Sequence, residues 1–297
     1  MAVSTGLPAL KTLLQGDAVK RRFENILGQN TPAYISSIID LYGDSQIAQC
    51  DNNLIVKECL RAATMKLPIN RALGYAYLIT FNTKVKEEFI DEKGVKQVRE
   101  VRVKQPTFIP STKGYIQLAM RSGQYKTINA DKIYDGEFAG ADKLSGTIDL
   151  SGQRKSDKVI GYFAYIELVN GFSKALFMNT REMAQYAKLY SPSVKYDSKV
   201  TVDSLMALAG KSPTGLGWVG DFDSMGIKTC LRRLLSKYGI LSTELQTALE
   251  NENKAETAES ESSTKEEIEI EDVKYEDVTS SSEKPEQKQE QQLQCKF

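Results

Sequence analysis

Residues 159–180, VIGYFAYIELVNGFSKALFMNT, decide the fold class. Two runs that are rich in β-branched and aromatic residues flank Asn170-Gly171, a dipeptide typical of tight hairpin turns. This pattern predicts an antiparallel pair of strands over 159–169 and 172–178. Thr180 is then expected to cap a helix. A hairpin that leads directly into a helix indicates a mixed fold in which helices pack against an antiparallel sheet.

The segments on both sides of this hairpin complete an α+β pattern. Apolar residues at helical spacing predict several helices, and the alternating residues of 73–81 predict a further strand. The charged segment 84–105 predicts a protruding hairpin that turns at 92–94. The last predicted helix begins at Asp221, whose side chain can cap it, and ends at Gly239. The other predicted elements are helices at 17–27, 31–42, 53–67, 111–122 and 180–189 and strands at 126–134 and 146–150.

Histidine is absent from all 297 residues of the chain. This absence excludes Ser-His-Asp and Cys-His nucleophilic catalysis, histidine general bases and histidine-ligated metals. The four cysteines form no CxxC pair, which argues against a zinc or iron–sulfur site and against a disulfide framework. Neither a signal peptide nor a membrane-spanning segment is predicted, so we expect a reduced, intracellular, soluble protein.

A formal net charge of zero hides a strong division of charge along the chain. Residues 251–297 contain 14 acidic and 6 basic residues, a net charge of −8, whereas residues 1–250 contain 25 acidic and 33 basic residues, a net charge of +8. The last segment is rich in Glu, Ser, Lys and Gln, which predicts a disordered acidic tail after a folded core. An alternative is that Ile268, Ile270 and Val273 form a docking peptide within this tail.

Two short motifs would signal enzymatic chemistry if their surroundings agreed. Gly210-Lys211-Ser212 matches the end of a phosphate-binding loop, but Leu205 stands where that motif needs glycine, and no strand precedes it. We therefore expect no nucleotide hydrolysis. Asp221, Asp223 and Glu182 could hold Mg²⁺ in a metal-dependent nuclease, although acids at the start of a helix more often complement its exposed amides. The nuclease is kept as the alternative function.

The last predicted helix carries four cations beside its apolar stripe. Lys228 and Arg232 lie one turn apart on one flank, and Arg233 and Lys237 lie one turn apart on the other. No acidic residue follows the first turn of the helix, so the basic flanks lack intrahelical partners. Cations spaced about 6 Å apart suit a phosphate backbone, and the pattern therefore favours nucleic-acid binding over an ordinary solvated helix face.

Two further segments extend this basic pattern. In the short helix predicted after the charged hairpin, Lys113 and Arg121 lie on a more polar side, while Tyr115 faces either the core or a stacked base. Gly114 allows another backbone, of protein or of nucleic acid, to approach closely. Lys104 lies on one face of the charged hairpin, for which an ordinary exposed surface is the alternative. The candidate DNA-binding residues are Lys104, Lys113, Tyr115, Arg121, Lys228, Arg232, Arg233 and Lys237.

Several blocks of sequence carry a resemblance to a known family. The blocks are Leu67-Pro68 before GYAYLITF at 74–81, KGYIQLAMRSG at 113–123, GYFAY at 161–165 with Gly171, Met178 with TREM at 180–183, and Trp218 followed by DFDSM at 221–225 and KTCLRRL at 228–234. Each block is weak alone, but their order is specific. In this order they resemble the RecT/Red-beta family of phage-encoded single-strand annealing recombinases, over roughly residues 20–240.

The resemblance implies an ATP-independent, non-enzymatic protein that binds single-stranded DNA and anneals complementary strands in recombination and repair. It implies a curved antiparallel sheet with packed helices that form a basic groove, and assembly into rings or helical filaments. The resemblance also implies that the protein works in the bacterial cytoplasm, beside a phage exonuclease and the host single-strand binding protein. No cofactor is expected, although Mg²⁺ is compatible with the sequence. A simple single-strand binding protein without annealing activity is a further alternative, which only the resemblance disfavours.

Overall fold

The structure, a computed structural model, describes residues 5–90 and 96–257. The turn predicted at 92–94 and the tail beyond residue 257, with its docking-peptide alternative, lie outside the described residues. All described residues belong to one compact unit. None of the helices within these ranges is long and apolar enough to cross a membrane.

From residue 5 onward, four α-helices precede the first strand, and they share one apolar core. Phe23, Ile38 and Ile55 from these helices are fully buried in it. Asp51 caps the last of the four, because its carboxylate accepts a hydrogen bond from the backbone N–H of Asn53. The helices are Leu7–Gln15 (α1), Asp17–Leu27 (α2), Thr31–Leu41 (α3) and Asn52–Thr64 (α4). Helices α2, α3 and α4 confirm three predicted helices, with small shifts at their ends.

A long antiparallel hairpin follows, formed by Ala76–Ile90 (β1) and Lys96–Pro110 (β2). The two strands continue through the charged segment, which confirms the predicted hairpin. The predicted start of β1 is too early, because Arg71–Leu73 forms a 3₁₀ turn instead of a strand. The Asn70 side chain stabilises this turn by accepting a hydrogen bond from the backbone N–H of Ala72.

Glu58 on α4 fixes the base of this hairpin. Its carboxylate accepts a hydrogen bond of 3.0 Å from the backbone N–H of Phe108 on β2 and forms an ion pair of 2.9 Å with Arg61. Glu58 is buried, so both contacts offset the cost of removing its charge from water. The N-terminal helices and the hairpin are thereby joined by one side chain.

A short helix leads from the hairpin into the central sheet. The next elements are Thr112–Met120 (α5), Tyr125–Tyr134 (β3), Gly140–Asp142 (β4), Thr147–Asp149 (β5), Val159–Leu168 (β6) and Ser173–Asn179 (β7). The central sheet has the order β3-β6-β7, so the strand that begins the predicted hairpin lies in its middle. The pairs β1-β2 and β4-β5 form two separate sheets, and all pairs are antiparallel.

Within the described residues, six α-helices follow the central sheet. They are Thr180–Tyr190 (α6), Pro192–Lys195 (α7), Val202–Met206 (α8), Gly217–Gly220 (α9), Phe222–Tyr238 (α10) and Thr243–Thr257 (α11). The predicted cap of α6 is wrong by one residue, because Asn179 and Glu182 form a capping box while the Thr180 hydroxyl donates to the carbonyl oxygen of Val159. Helix α11 crosses the predicted boundary at residue 250. The assignment of 251–297 as a separate tail stays a prediction.

Helix α10 packs on the central sheet and completes the core. Asp221 caps it, as the sequence predicts, by accepting a hydrogen bond of 3.0 Å from the backbone N–H of Ser224. Leu231, Leu234 and Leu235 from its apolar stripe are buried. Helices packed on an antiparallel sheet confirm the predicted α+β class.

Gly114 lets helix α5 touch the backbone just before β1. A Cβ atom on Gly114 would overlap the carbonyl oxygen of Tyr75, so the backbone that approaches this glycine is the protein's own. Ser111 reinforces the contact, because its hydroxyl lies 2.6 and 3.0 Å from the carbonyl oxygens of Gly74 and Tyr75. The position therefore has a structural role in the folded chain.

We predict that Gly114→Ala destabilises the protein by about 1–3 kcal/mol, since overpacking outweighs the gain of about 1 kcal/mol that alanine brings to a helix interior. The free energy of unfolding is measured by urea titration followed by circular dichroism. Gly140→Ala is the control, because a Cβ atom at Gly140 meets nothing within 4 Å. A Gly114→Ala variant as stable as the native chain would contradict the close contact.

Candidate nucleic-acid interface

Two of the four cations on α10 lie inside the protein. Lys228 and Arg232 are only 7% and 6% exposed. The Lys228 ammonium lies 5.9 Å from the ring centroid of Tyr115 on α5, and Nη2 of Arg232 donates a hydrogen bond of 3.0 Å to the hydroxyl of Tyr186 on α6. Both cations therefore join α10 to neighbouring helices, and the structure does not place them on an open flank, as the sequence-based interpretation required.

The other two cations, Arg233 and Lys237, are exposed. They lie one helical turn apart, as predicted. Nη1 of Arg233 donates to the Sδ atom of Met178 at 3.0 Å, and the Lys237 ammonium lies 5.2 Å from the ring centroid of Tyr238. In the part of the chain that the structure describes, neither forms an ion pair with a carboxylate. Their positive charges are therefore available to an anionic ligand.

Three other candidate cations bind oxygen atoms of the N-terminal half. Lys113 donates to the carbonyl oxygen of Leu73 at 3.0 Å and lies 4.3 Å from the ring centroid of Tyr75. Arg121 donates to the carbonyl oxygens of Met65 and Lys66 at 2.6 and 2.8 Å. Both side chains brace the ends of α5 against the segment between α4 and β1. Being exposed, they still present charge to solvent.

Lys104 on β2 is held in the same way. Its ammonium donates to the side-chain oxygens of Gln46 and Gln49, at 2.5 and 2.8 Å, and the side chain is half-buried. Tyr115 has no exposed surface, so the core position is correct and the base-stacking alternative for this ring is wrong. The structure brings α5 and α10 into contact, but the α10 cation that lies against α5, Lys228, is buried.

A cluster of cations and aromatic rings, which sequence reasoning missed, lies where α6 and α10 meet β7. The ring centroids of Tyr186 and Tyr190 on α6 are 4.8 Å apart. The guanidinium of Arg233, on α10, lies 5.1 Å from the ring centroid of Tyr186. The signal that could have found it is the spacing of two tyrosines four residues apart, which places them on one helix face. We call Arg233, Tyr186 and Tyr190 the tyrosine stack.

A second such cluster lies at the end of β3. The guanidinium of Arg154 lies 3.4 Å from the ring centroid of Tyr134, and the ammonium of Lys132 lies 5.6 Å from it. Arg154 also pairs with the exposed carboxylate of Asp157 at 2.7 Å. Because both cations of this cluster bind carboxylates, they are less available to a phosphate than the two exposed cations of α10.

The three carboxylates of the nuclease alternative have separate structural tasks. Asp221 and Glu182 belong to the caps of α10 and α6. Asp223 is buried and accepts hydrogen bonds from the Tyr162 hydroxyl at 2.7 Å, from Lys132 at 3.2 Å and from a loop amide. Within residues 5–90 and 96–257, no group of three or more carboxylate or cysteine side chains could hold a metal ion.

That loop amide belongs to Gly210, the first residue of the Gly210-Lys211-Ser212 motif. Its backbone N–H lies 3.1 and 3.2 Å from the two carboxylate oxygens of Asp223. Burial and the hydrogen bond to the Asp223 carboxylate raise the pKa of the Tyr162 phenol, so this hydroxyl remains a donor even at a pH where a free tyrosine ionises. The motif therefore anchors a loop to a buried acid, which agrees with the expectation that it is no phosphate-binding loop.

Comparisons with known proteins cover most of the chain. A family model described as the RecT family matches residues 32–270. The protein YqaK of Bacillus subtilis (strain 168), described as uncharacterized, is 34% identical over 246 residues, which cover 82% of this chain and 72% of YqaK. Protein RecT of Escherichia coli (strain K12) is 27% identical over 213 residues, which cover 70% of this chain and 65% of RecT. The range matched by the family model contains all eight candidate residues.

We predict that Asp223→Ala lowers the free energy of unfolding by about 3 kcal/mol, because it leaves a buried hydroxyl, an amide and an ammonium without their shared acceptor. Urea denaturation measures the change. Asp157→Ala is the matched control: it also removes an aspartate from an ion pair, but its side chain is 96% exposed, so the expected change is within about 0.5 kcal/mol. Equal stability of the two variants would show that Asp223 does not join these elements.

Proposed function

The chain belongs to the RecT family, and from this premise we propose that it binds single-stranded DNA and anneals complementary strands during recombination. The observation that carries the proposal is the exposed pair Arg233 and Lys237 on α10, which no carboxylate neutralises within the described ranges. Cations of this kind bind the phosphate backbone of DNA irrespective of base sequence.

Annealing by this route needs no fuel. The protein holds the backbone of one strand, the bases stay available to a second strand, and base pairing supplies the free energy. The chain therefore works without ATP, without a catalytic residue and without a bound cofactor. Mg²⁺ is compatible with this route and is not required by it. Lys113 and Arg121 at the ends of α5 are two further exposed cations.

Assembly would multiply the effect of each subunit. Several copies in a ring or helical filament set their DNA-binding surfaces in line and raise the local concentration of matching bases. We propose that the protein acts in the cytoplasm of a bacterial cell, where a phage exonuclease supplies single strands and the host single-strand binding protein covers them. Each strand would then pass from that protein to this one.

The test is annealing of two complementary oligonucleotides without ATP, followed by the loss of fluorescence from a dye and quencher pair. We predict that the native chain accelerates annealing, and that the double variant Arg233→Ala/Lys237→Ala loses both affinity and rate. Each phosphate contact on a single strand contributes about −0.7 to the slope of log affinity against log salt. Removing two contacts should therefore flatten that slope by about 1.4.

Lys20→Ala is the control for this variant. Lys20 is an exposed cation on α2, outside the range matched by the family model, so its loss should leave affinity and slope unchanged. Binding without acceleration would identify a single-strand binding protein that does not anneal. Shortened oligonucleotides in Mg²⁺ or Mn²⁺ would support the nuclease.

The acidic C-terminal segment gives a further prediction. Residues 258–297 contain 12 acidic and 5 basic residues, so a chain that ends at Thr257 keeps a net charge of +7. If this segment competes with DNA for the basic surface, the shortened chain binds single-stranded DNA more tightly, and the difference shrinks as salt rises. A full-length variant with these acids replaced by amides separates charge from length. Equal or weaker binding by the shortened chain would reject competition and favour a partner-docking role.

A further inference from the structure

The tyrosine stack ends in a ring that faces solvent. Tyr190, the last residue of α6, is 52% exposed, whereas Tyr186 beneath it is half-buried. The ring centroids are 4.8 Å apart with an angle of 42° between the rings. The two rings are therefore in contact but tilted, and the outer tyrosine keeps about half of its surface open to a ligand.

The inner members of the stack hold it in place. The Tyr186 hydroxyl accepts a hydrogen bond from Arg232, which is buried, and the Arg233 guanidinium lies 5.1 Å from the Tyr186 ring. Arg233 is in turn held by Met178 on β7. The platform under Tyr190 is therefore fixed by three elements, so a ligand that binds it does not have to order it.

The chain beyond Tyr190 is fixed as well. The Lys188 ammonium, in the last turn of α6, donates hydrogen bonds of 2.7 Å to the carbonyl oxygens of Val194 and Asp197. These bonds tie the end of α6 to the segment that follows it. Tyr190 is therefore an exposed ring on a rigid support, not the tip of a loose end.

We propose that Tyr190 is a stacking site for a base of single-stranded DNA, with Arg233 as the neighbouring phosphate contact. The proposal rests on the proposed function. An aromatic ring binds the π-face of any base, which suits a protein that does not select sequence. Stacking occupies the face of a base and leaves its hydrogen-bonding edge free. A base held in this way can still pair with an incoming strand.

The experiment compares Tyr190→Ala, Tyr190→Phe and Leu189→Ala in the full chain. Affinity is measured for an oligothymidylate and for an abasic oligonucleotide of equal length, over a range of salt concentrations. We expect Tyr190→Ala to bind the oligothymidylate roughly 5- to 150-fold more weakly, the range of one lost stacking contact, with an unchanged salt slope because no phosphate contact is lost. Tyr190→Phe keeps the ring and the affinity.

Leu189→Ala is the matched control, since Leu189 is an adjacent residue of α6 that is 57% exposed and carries no ring. The abasic strand should bind the native chain and Tyr190→Ala equally, because it has no base to stack. In the native chain, 2-aminopurine in the oligonucleotide should lose fluorescence on binding, a readout that needs no variant.

Three outcomes would overturn this assignment. They are native affinity of Tyr190→Ala for the oligothymidylate, an equal loss on the abasic strand, and a change in the oligomeric state of the DNA-free variant without a change in affinity. The last would identify Tyr190 as a contact between copies of the chain. Failure of the proposed function is distinguishable, because the native chain itself would then either not bind single-stranded DNA or bind it without accelerating annealing.

Discussion

The side chain of Tyr162 meets helix α10 twice, and this contact sets the distance between the helix and the central sheet. A Cβ atom on Gly226 would lie 2.9 Å from a ring carbon of Tyr162, so only glycine lets the helix come this close. The hydroxyl of the same ring donates to Asp223 at the start of the helix. Because Asp223 also binds Lys132 on β3 and the amide of Gly210, one buried carboxylate joins two strands, a loop and the helix.

The close approach of α10 to the sheet determines what each of its cations can do. With the apolar stripe on the sheet, helices α5 and α6 lie against the sides of α10. Lys228 and Arg232 are then enclosed and lie against Tyr115 and Tyr186. Aromatic faces and hydroxyl groups compensate in part for the water that these cations lose. Arg233, one residue further along the helix, points outward and remains available to a ligand.

Whether a contact can be predicted from the sequence depends on how far apart along the chain its residues are. The Asn170-Gly171 turn and the Asp221 cap are set by neighbours within one turn, and both are predicted correctly. The same kind of signal marks Asn179 as the cap of α6, because Glu182 stands three residues later, as a capping box requires. The prediction of Thr180 as the cap does not use this three-residue spacing and is therefore wrong by one residue.

Burial of the cations could not be predicted in the same way. Helical periodicity places Lys228 and Arg232 on one flank of α10, but their covering residues, Tyr115 and Tyr186, come from helices that are distant in sequence. Nothing in the local pattern states which flank those helices cover. The long-range packing of α5 and α6, not the periodicity of α10, therefore decides which of its basic residues belong to the core.

A protein that anneals strands has to bind DNA while the hydrogen-bonding edges of the bases stay accessible. Cations satisfy this requirement at the backbone, since phosphates take no part in base pairing. A ring satisfies it at the bases, since a stacked base keeps its hydrogen-bonding edge. The tyrosine stack places both kinds of group in one cluster, because Arg233 and Tyr190 both lie next to the ring of Tyr186. Tyr186, the half-buried member that both others contact, is held to the core by Arg232, so the cation that is lost to DNA binding supports the groups that remain available.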